Sequence, residues 1–236
     1  MPDRSFGAVT RRFTSRQALI IGLGGALIVA AAGALLAAAW LDVAFTKATI
    51  VHWDVATARR IHDLVTPRGT RFFETVSRLG SPTTMTWLTI LASLFLLVTR
   101  RFQLAIVWLA AFGGGAALET LLKDAVQRTR PEYATHYLAI GSYSFPSGHA
   151  TLSSIAMAMV VYSLSVTNYL RGVARTIAAI IAALWVLLVG TSRLYLGLHY
   201  PSDVLGGLVI GGAWFLVCVL VVNVAVRRRS PAPSNG

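Results

Sequence analysis

Six stretches of this chain run for 17 to 25 residues without one charged side chain. An α-helix needs about 20 apolar residues to cross the hydrocarbon core of a bilayer, and a backbone in lipid must satisfy its polar groups internally. The stretches are residues 17–41, 79–99, 102–118, 150–170, 176–192 and 204–226. The sequence therefore predicts an all-α, polytopic membrane protein built as a bundle of six transmembrane helices.

Composition excludes an ordinary soluble domain, because only 13% of the residues are charged and soluble domains carry about 25%. We expect a cytoplasmic N-terminal segment over residues 1–16, one six-span domain over 17–226, and a disordered tail over 227–236. Arg11 and Arg12 ahead of the first stretch could also mark a twin-arginine export signal. That stretch is longer than the about 7 to 15 apolar residues of a signal peptide, so an uncleaved first span is favoured.

The basic residues are distributed unequally between the two membrane faces. An even number of spans places both termini on one side, together with the loops at residues 100–101 and 171–175. That side carries 11 of the 21 basic residues and one acid, whereas the other carries ten basic and eight acidic residues. The positive-inside rule assigns the arginine-rich side to the cytoplasm. The net charge of +12 thus reflects topology, and we expect no nucleic-acid partner.

The first outer loop, residues 42–80, has a helical pattern of its own. Apolar residues recur at helical spacing between charged ones, namely Val51, Val55, Ala58, Ile61 and Val65. This pattern predicts an amphipathic extracytoplasmic helix that either lies on the membrane surface or caps the bundle. Residues 66–69 end it, and a second short helix is expected over residues 70–78.

Three clusters of ionisable residues fall on the outer face, each at the end of a predicted helix. Lys123, Arg130 and Arg193 are permanent cations, and guanidinium groups match phosphate oxygens in a bidentate manner. The tripeptide Ser147-Gly148-His149 stands at a predicted helix start, where free backbone N–H groups and the helix dipole favour an anion. Together these features indicate a site for phosphate.

His199 and Asp203 are four residues apart, with Pro201 at a position suited to the first turn of a helix. If that turn forms, Asp203 accepts a hydrogen bond from one imidazole nitrogen and leaves the other nitrogen with an exposed lone pair. This is the arrangement of a histidine nucleophile or base. His149 is the second histidine available for proton transfer.

Taken singly, these residues also fit plainer roles. Arginine and lysine at span ends commonly anchor helices at the interface, and Asp203 could be a helix N-terminal charge. Two histidines and one aspartate without cysteine are a weak zinc ligand set, so we expect no metal. Glu119, four residues before Lys123, favours an ion pair over a catalytic role.

The order of the motifs favours the functional interpretation. Lys-x6-Arg-Pro at 123–131 precedes Pro-Ser-Gly-His at 146–149 and Ser-Arg-x5-His-x3-Asp at 192–203. In this order the sequence resembles the type 2 phosphatidic acid phosphatase family, integral-membrane lipid phosphate phosphatases that share a catalytic core with vanadium haloperoxidases. The resemblance covers nearly the whole chain.

The resemblance implies hydrolysis through a phosphohistidine, with no metal and no other cofactor. The catalytic residues it implies are His199 as nucleophile, His149 as acid and then base, and Asp203 as the partner of His199. The phosphate-binding residues it implies are Lys123, Arg130, Ser147, Gly148 and Arg193.

The expected substrate is a lipid phosphate: phosphatidic acid, phosphatidylglycerol phosphate or a polyprenyl pyrophosphate. The expected location is a bacterial inner membrane, with the active site on the extracytoplasmic face and both termini in the cytoplasm. Haloperoxidase activity is a second hypothesis, which the six spans disfavour. A transporter for anions or lipids that uses the same basic vestibule is a third, but it would need polar or charged residues at mid-span, and these spans have almost none.

Overall fold

The structure is a computed structural model that describes residues 49–133 and 143–228. Its helices are α1 (Thr49–His62), α2 (Pro67–Leu79), α3 (Pro82–Val98), α4 (Phe102–Val126), α5 (Gly148–Val166), α6 (Gly172–Tyr195) and α7 (Pro201–Arg228). No β-strand occurs in these two ranges, so the predicted all-α class is confirmed. The predicted N-terminal segment and first span lie outside the described residues, as do residues 229–236 of the predicted tail.

Five stretches of helix in the described ranges are long and apolar enough to cross a membrane. They are α2 together with α3, and then α4, α5, α6 and α7. These stretches coincide with the second to sixth predicted spans. The chain is therefore an integral membrane protein, as the apolar stretches predict.

The two shortest predicted spans are longer in the structure. α4 has 25 residues and α6 has 24, against 17 in each prediction, because the prediction ended each span at its first charged residue. α4 continues through Glu119 and Lys123, and α6 continues through Arg193. Charged side chains in the last turns of a span can extend out of the hydrocarbon layer. Lys123 and Arg193 are thus carried on helix ends, whereas Arg130 and His199 lie in the loops that follow these helices.

α5 lies at the centre of the bundle and packs against α3, α4, α6 and α7. Its residues Ile155, Ala156 and Met159 are completely buried. Trp108 of α4 is also buried, and its indole Nε1 donates a hydrogen bond of 2.8 Å to Ser163 Oγ of α5. Because lipid tails offer no hydrogen-bond partner, this polar group is satisfied inside the bundle.

Two glycines set the close approach of α7 to α5. A Cβ atom at Gly207 would lie 2.8 Å from the carbonyl oxygen of Ser147, and one at Gly211 would lie 2.6 Å from that of Thr151. Small residues four apart let two membrane helices approach backbone to backbone. This contact brings the first turn of α7 beside the start of α5, where the Ser147 N–H donates to the carbonyl oxygen of Asp203 at 3.0 Å.

The predicted helix of the first outer loop is α1, which packs against α6 and α7 and so caps the bundle. Its buried face matches the predicted one only in part, since Ala58 is buried and Val51 and Ile61 are half-buried. Val55 and Val65 are 40% and 37% exposed, whereas Asp54 is completely buried beside the buried Ala58. The prediction followed apolar residues alone, and the helix instead turns a carboxylate inward.

α2 is the second helix predicted in this loop. Thr66 caps its start, because its Oγ1 accepts a hydrogen bond from the Gly69 N–H at 3.1 Å, and Pro67 occupies the first turn. α2 packs along α6, and Ser77 Oγ accepts from Arg193 Nη1 at 2.6 Å. Both loop helices therefore border the end of the bundle that carries the three motifs.

We expect Gly211→Ala to destabilise the protein by about 1 to 3 kcal/mol, because the added methyl group overpacks the backbone contact between α7 and α5. Gly212→Ala is the matched control, since a Cβ atom there would meet no atom within 4 Å. Thermal unfolding of the detergent-solubilised variants measures the difference. Equal melting temperatures for the two variants would show that the helices do not touch at Gly211.

Candidate active site

The three motifs meet at one end of the bundle around a cavity of about 440 Å³. Six of the eight predicted site residues line this cavity: Lys123, Arg130, Gly148, His149, Arg193 and His199. The other two, Ser147 and Asp203, are completely buried and adjoin lining residues. The structure thus brings together residues that are as many as 80 positions apart in the sequence.

The start of α5 forms one wall of the cavity. Ser147 precedes the helix in an extended conformation, and the helix begins at Gly148. A Cβ atom at Gly148 would lie 2.7 Å from Glu119 Oε1, so a larger residue here would displace the Glu119 carboxylate. Ser147 Oγ is buried and has no hydrogen-bond partner among the described residues. A free hydroxyl next to the first backbone N–H groups of a helix can bind an anion.

The histidine of the third motif is almost entirely buried, with 2% of its surface exposed. His199 Nδ1 lies 3.6 Å from Asp203 Oδ2, and its Nε2 lies 3.3 Å from Arg130 Nη1. α7 begins at Pro201, as the proline predicts. Because a carboxylate accepts hydrogen bonds and does not donate them, the proton of a neutral His199 belongs on Nδ1. Its Nε2 then presents a lone pair on the side of Arg130.

Asp203 accepts hydrogen bonds on both carboxylate oxygens. Oδ1 accepts from Arg128 Nη1 at 2.7 Å. Oδ2 accepts from the Tyr200 backbone N–H at 2.8 Å and from Ser144 Oγ. A completely buried carboxylate requires such compensation, and the donors hold the oxygen that faces His199 in one orientation.

The three predicted cations are each held by protein acceptors. Lys123 Nζ lies 3.0 Å from Glu119 Oε1, which confirms the expected ion pair. Arg130 Nη1 donates to the Leu198 carbonyl at 2.8 Å, and Arg193 is held by Ser77 as described above. Glu119 and Asp124 supply two negative charges against three positive charges on the cavity wall. The remaining positive charge favours an anion at this site.

Burial controls the charge of the central histidine. The pKa of His199 is lowered to about 4, chiefly because the ring is removed from water and also because Arg193 and Arg130 are positively charged, while Asp203 acts in the opposite direction. His199 is therefore neutral at pH 7 and has a lone pair for attack on an electrophile. A buried neutral histidine beside a carboxylate is a common arrangement for nucleophilic catalysis.

The sequence analysis did not assign a site role to several residues that the structure places here. They are Asp54, Ser77, Arg128, Tyr143 and Ser144. Arg128 lies inside the first motif, two residues before Arg130, so its position was a usable signal. Ser144 lies two residues before the second motif and carries no pattern of its own.

A comparison with protein families matches residues 104–227 to the PAP2 superfamily. Phosphatidylglycerophosphatase B of Bacillus subtilis is 30% identical over 136 residues, which are 58% of this chain and 66% of the relative. A lipid A 1-phosphatase of Rhizobium etli is 33% identical over 44% of this chain and 44% of its own length. A decaprenylphosphoryl-5-phosphoribose phosphatase of Mycolicibacterium smegmatis is 35% identical over 42% of this chain and 52% of its own length.

These curated relatives are matched over only 44% to 66% of their own lengths. A solved structure is matched more completely. The crystal structure of a transmembrane PAP2 type phosphatidylglycerolphosphate phosphatase from Bacillus subtilis has a TM-score of 0.69, with 90% of this chain and 97% of that chain covered at 23% identity. The two chains share their fold.

We expect His199 to remain neutral well below the ordinary histidine pKa of about 6.5. In protein labelled with ¹³C at histidine Cε1, its NMR signal should stay constant between about pH 5 and 8 and move only as the pH falls toward about 4, where the ring takes up a proton. His199→Gln identifies the signal by its loss. A titration centred near pH 6.5 would contradict the burial that the structure gives this ring.

Proposed function

The chain belongs to the PAP2 superfamily, and on that premise we propose that it is a membrane phosphatase that hydrolyses the phosphomonoester or pyrophosphate of a lipid. The observation that carries this proposal is that His149, His199 and three cations line the same cavity. Histidines supply a nucleophile and a proton carrier, and the cations stabilise phosphate. The other residues of the site serve these two tasks.

In the proposed first step, His199 Nε2 attacks phosphorus in line with the leaving oxygen. The phosphorus–oxygen bond to the lipid breaks as the phosphorus–nitrogen bond forms, and the product is a phosphohistidine. Asp203 keeps the proton on Nδ1 and stabilises the charge that develops on the ring. His149 gives a proton to the leaving oxygen, so the lipid departs as an alcohol, or as a lipid monophosphate from a pyrophosphate.

In the second step, His149 takes a proton from water, and the resulting hydroxide attacks the phosphohistidine. The phosphorus–nitrogen bond breaks, inorganic phosphate is formed, and His199 regains its lone pair. His149 thus returns to its starting protonation state, so protons balance over the cycle.

Lys123, Arg130 and Arg193 hold the phosphate oxygens, together with Ser147 Oγ and the Gly148 N–H. Phosphoryl transfer depends mainly on positioning and on stabilising charge at these oxygens. Three fixed positive charges supply what a magnesium ion supplies in many other phosphoryl-transfer enzymes. We therefore propose that the reaction requires no metal.

The proposed substrate class is lipid phosphates, and the candidates are phosphatidic acid, phosphatidylglycerol phosphate and polyprenyl pyrophosphate. Relatives named for phosphatidylglycerophosphate, lipid A and a decaprenyl-linked phosphate support a lipid substrate and leave its headgroup open. Burial of tails in the bilayer stabilises binding by about 0.8 kcal/mol per CH₂ without headgroup selectivity.

We further propose that the cavity faces the extracytoplasmic side of a bacterial inner membrane, with both termini in the cytoplasm. Arg100 and Arg101 precede α4, whose far end reaches the cavity, and Arg171 and Arg175 flank the start of α6, which also ends there. The arginine-rich turns thus lie at the opposite end of the bundle from the site. The positive-inside rule supports this orientation.

Purified protein should release phosphate from a panel of lipid phosphates, and His199→Ala should lower kcat by at least about 10³-fold because it removes the nucleophile. His52→Ala, on the exposed side of α1, is the matched control and should keep wild-type turnover. His149→Gln should lower kcat less on an aryl phosphate than on a lipid phosphate, because an aryl leaving group needs little protonation. Wild-type turnover by His199→Ala would reject His199 as nucleophile.

Phosphate release should persist in excess EDTA, since the proposed site stabilises the transferred group with side-chain cations alone. The assay compares initial rates before and after dialysis against the chelator. Loss of activity that added Mg²⁺ or Zn²⁺ restores would contradict a metal-independent reaction.

A further inference from the structure

Arg128 is enclosed by two buried carboxylates behind the wall of the cavity. Its Nη1 lies 2.7 Å from Asp203 Oδ1, and its Nη2 lies 2.6 Å from Asp54 Oδ2. Nη1 also donates to Ser202 Oγ at 2.6 Å, and the guanidinium carbon stands 4.4 Å from the centre of the Tyr200 ring. Both ends of the guanidinium are thus directed at protein groups.

This engagement separates Arg128 from the cations of the phosphate site. Lys123, Arg130 and Arg193 line the cavity, and Arg128 does not. Burial alone would lower the pKa of Arg128, but Asp203 and Asp54 outweigh it and raise that pKa. Arg128 is therefore a permanent positive charge that contacts Asp203 and does not line the cavity.

Asp54 is the second partner of Arg128, and it lies on α1. Its side chain is completely buried. Its Oδ1 accepts from the Ser202 backbone N–H at 3.0 Å, and its Oδ2 accepts from Ser202 Oγ at 2.5 Å in addition to Arg128. A buried carboxylate is costly unless it is paired, so these contacts fasten α1 to the residue next to Asp203. Residue 54 also lies upstream of the stretch matched to the family, residues 104–227.

We propose that Arg128 and Asp54 are positioning residues for the reaction proposed above, on which this inference rests. Arg128 fixes Asp203 Oδ1, and the carboxylate thereby keeps Oδ2 toward His199 Nδ1. Asp54 holds Arg128 in place and ties the first turn of α7 to α1. The helix of the first outer loop is then part of the catalytic apparatus and not only a cap.

Because Arg128 contacts Asp203, Asp54 contacts Arg128 and neither lines the cavity, their loss should affect kcat more than phosphate affinity. Asp54 and Arg128 act through Asp203 on the nucleophile, while the phosphate oxygens are held by other residues. Loss of either positioning residue should therefore lower kcat and leave phosphate affinity intact. A side chain that merely maintained the shape of the cavity would affect both quantities together.

The experiment compares Arg128→Gln, Arg128→Lys and Asp54→Asn with the wild-type enzyme. The matched controls are Arg60→Gln and Asp63→Asn, whose side chains are exposed on and just after α1. Each variant is assayed for kcat and KM on one lipid phosphate, for the inhibition constant of inorganic phosphate, and for its melting temperature in detergent.

We expect Arg128→Gln to lower kcat by about 10²-fold and Asp54→Asn by about tenfold, with the phosphate inhibition constant changed less than about twofold. Arg128→Lys should fall between wild type and Arg128→Gln, since an ammonium keeps the charge but cannot hold both carboxylates in the geometry of a guanidinium fork. In the Arg128→Gln background, Asp54→Asn should lower kcat little further, because both substitutions act on the contact between Arg128 and Asp203. The controls should match wild type.

Three results would overturn the inference. The first is a wild-type kcat for Asp54→Asn. The second is an equal loss of kcat and phosphate affinity in the Arg128 or Asp54 variants, which would mean that the cavity is distorted. The third is that the effects of Arg128→Gln and Asp54→Asn on kcat are fully additive in free energy. If Arg128→Gln does not fold, Arg128→Lys and Asp54→Asn decide the same question. A wild-type chain that releases no phosphate contradicts the proposed function and this inference with it, whereas an active wild type with Asp54→Asn equal to Asp63→Asn contradicts the inference alone.

Discussion

A buried carboxylate has to be compensated, and Asp203 is completely buried at the motif-bearing end of this bundle. Its donors come from three separate parts of the chain: Arg128 after α4, Ser144 before α5, and the Tyr200 backbone before α7. One charge therefore determines how three segments meet. The Ser147 N–H adds a contact to the backbone carbonyl of the same residue, so Asp203 lies beside His199 and also connects the starts of α5 and α7 at the cavity.

The bundle beneath this site provides a rigid base for it. α5 is surrounded by four other helices, and the glycine contact with α7 leaves no room for either backbone to shift toward the other. Side chains at the ends of packed helices are held more accurately than side chains on long loops. A site that works through charge and orientation depends on that accuracy.

Features encoded by short stretches of sequence could be predicted. Charge-free stretches identified the five spans that the structure describes, and six of the eight site residues predicted from the motifs line one cavity. Features that depend on distant partners could not. The third span was predicted to end before Glu119, but α4 continues through Glu119 and Lys123. A helix can continue past charged residues where its last turns leave the hydrocarbon layer and line the cavity. Asp54 was expected to be polar surface, since nothing near it in the sequence indicates Arg128, which lies 74 residues away.

The burial of Asp54 has a consequence for how chains of this kind are compared and shortened. An alignment restricted to the three motifs begins downstream of α1 and cannot distinguish a protein that has this carboxylate from one that lacks it. A truncated version starting at α3 would keep every motif residue while exposing Arg128 and the first turn of α7 to solvent. Upstream sequence therefore belongs in any definition of the functional unit.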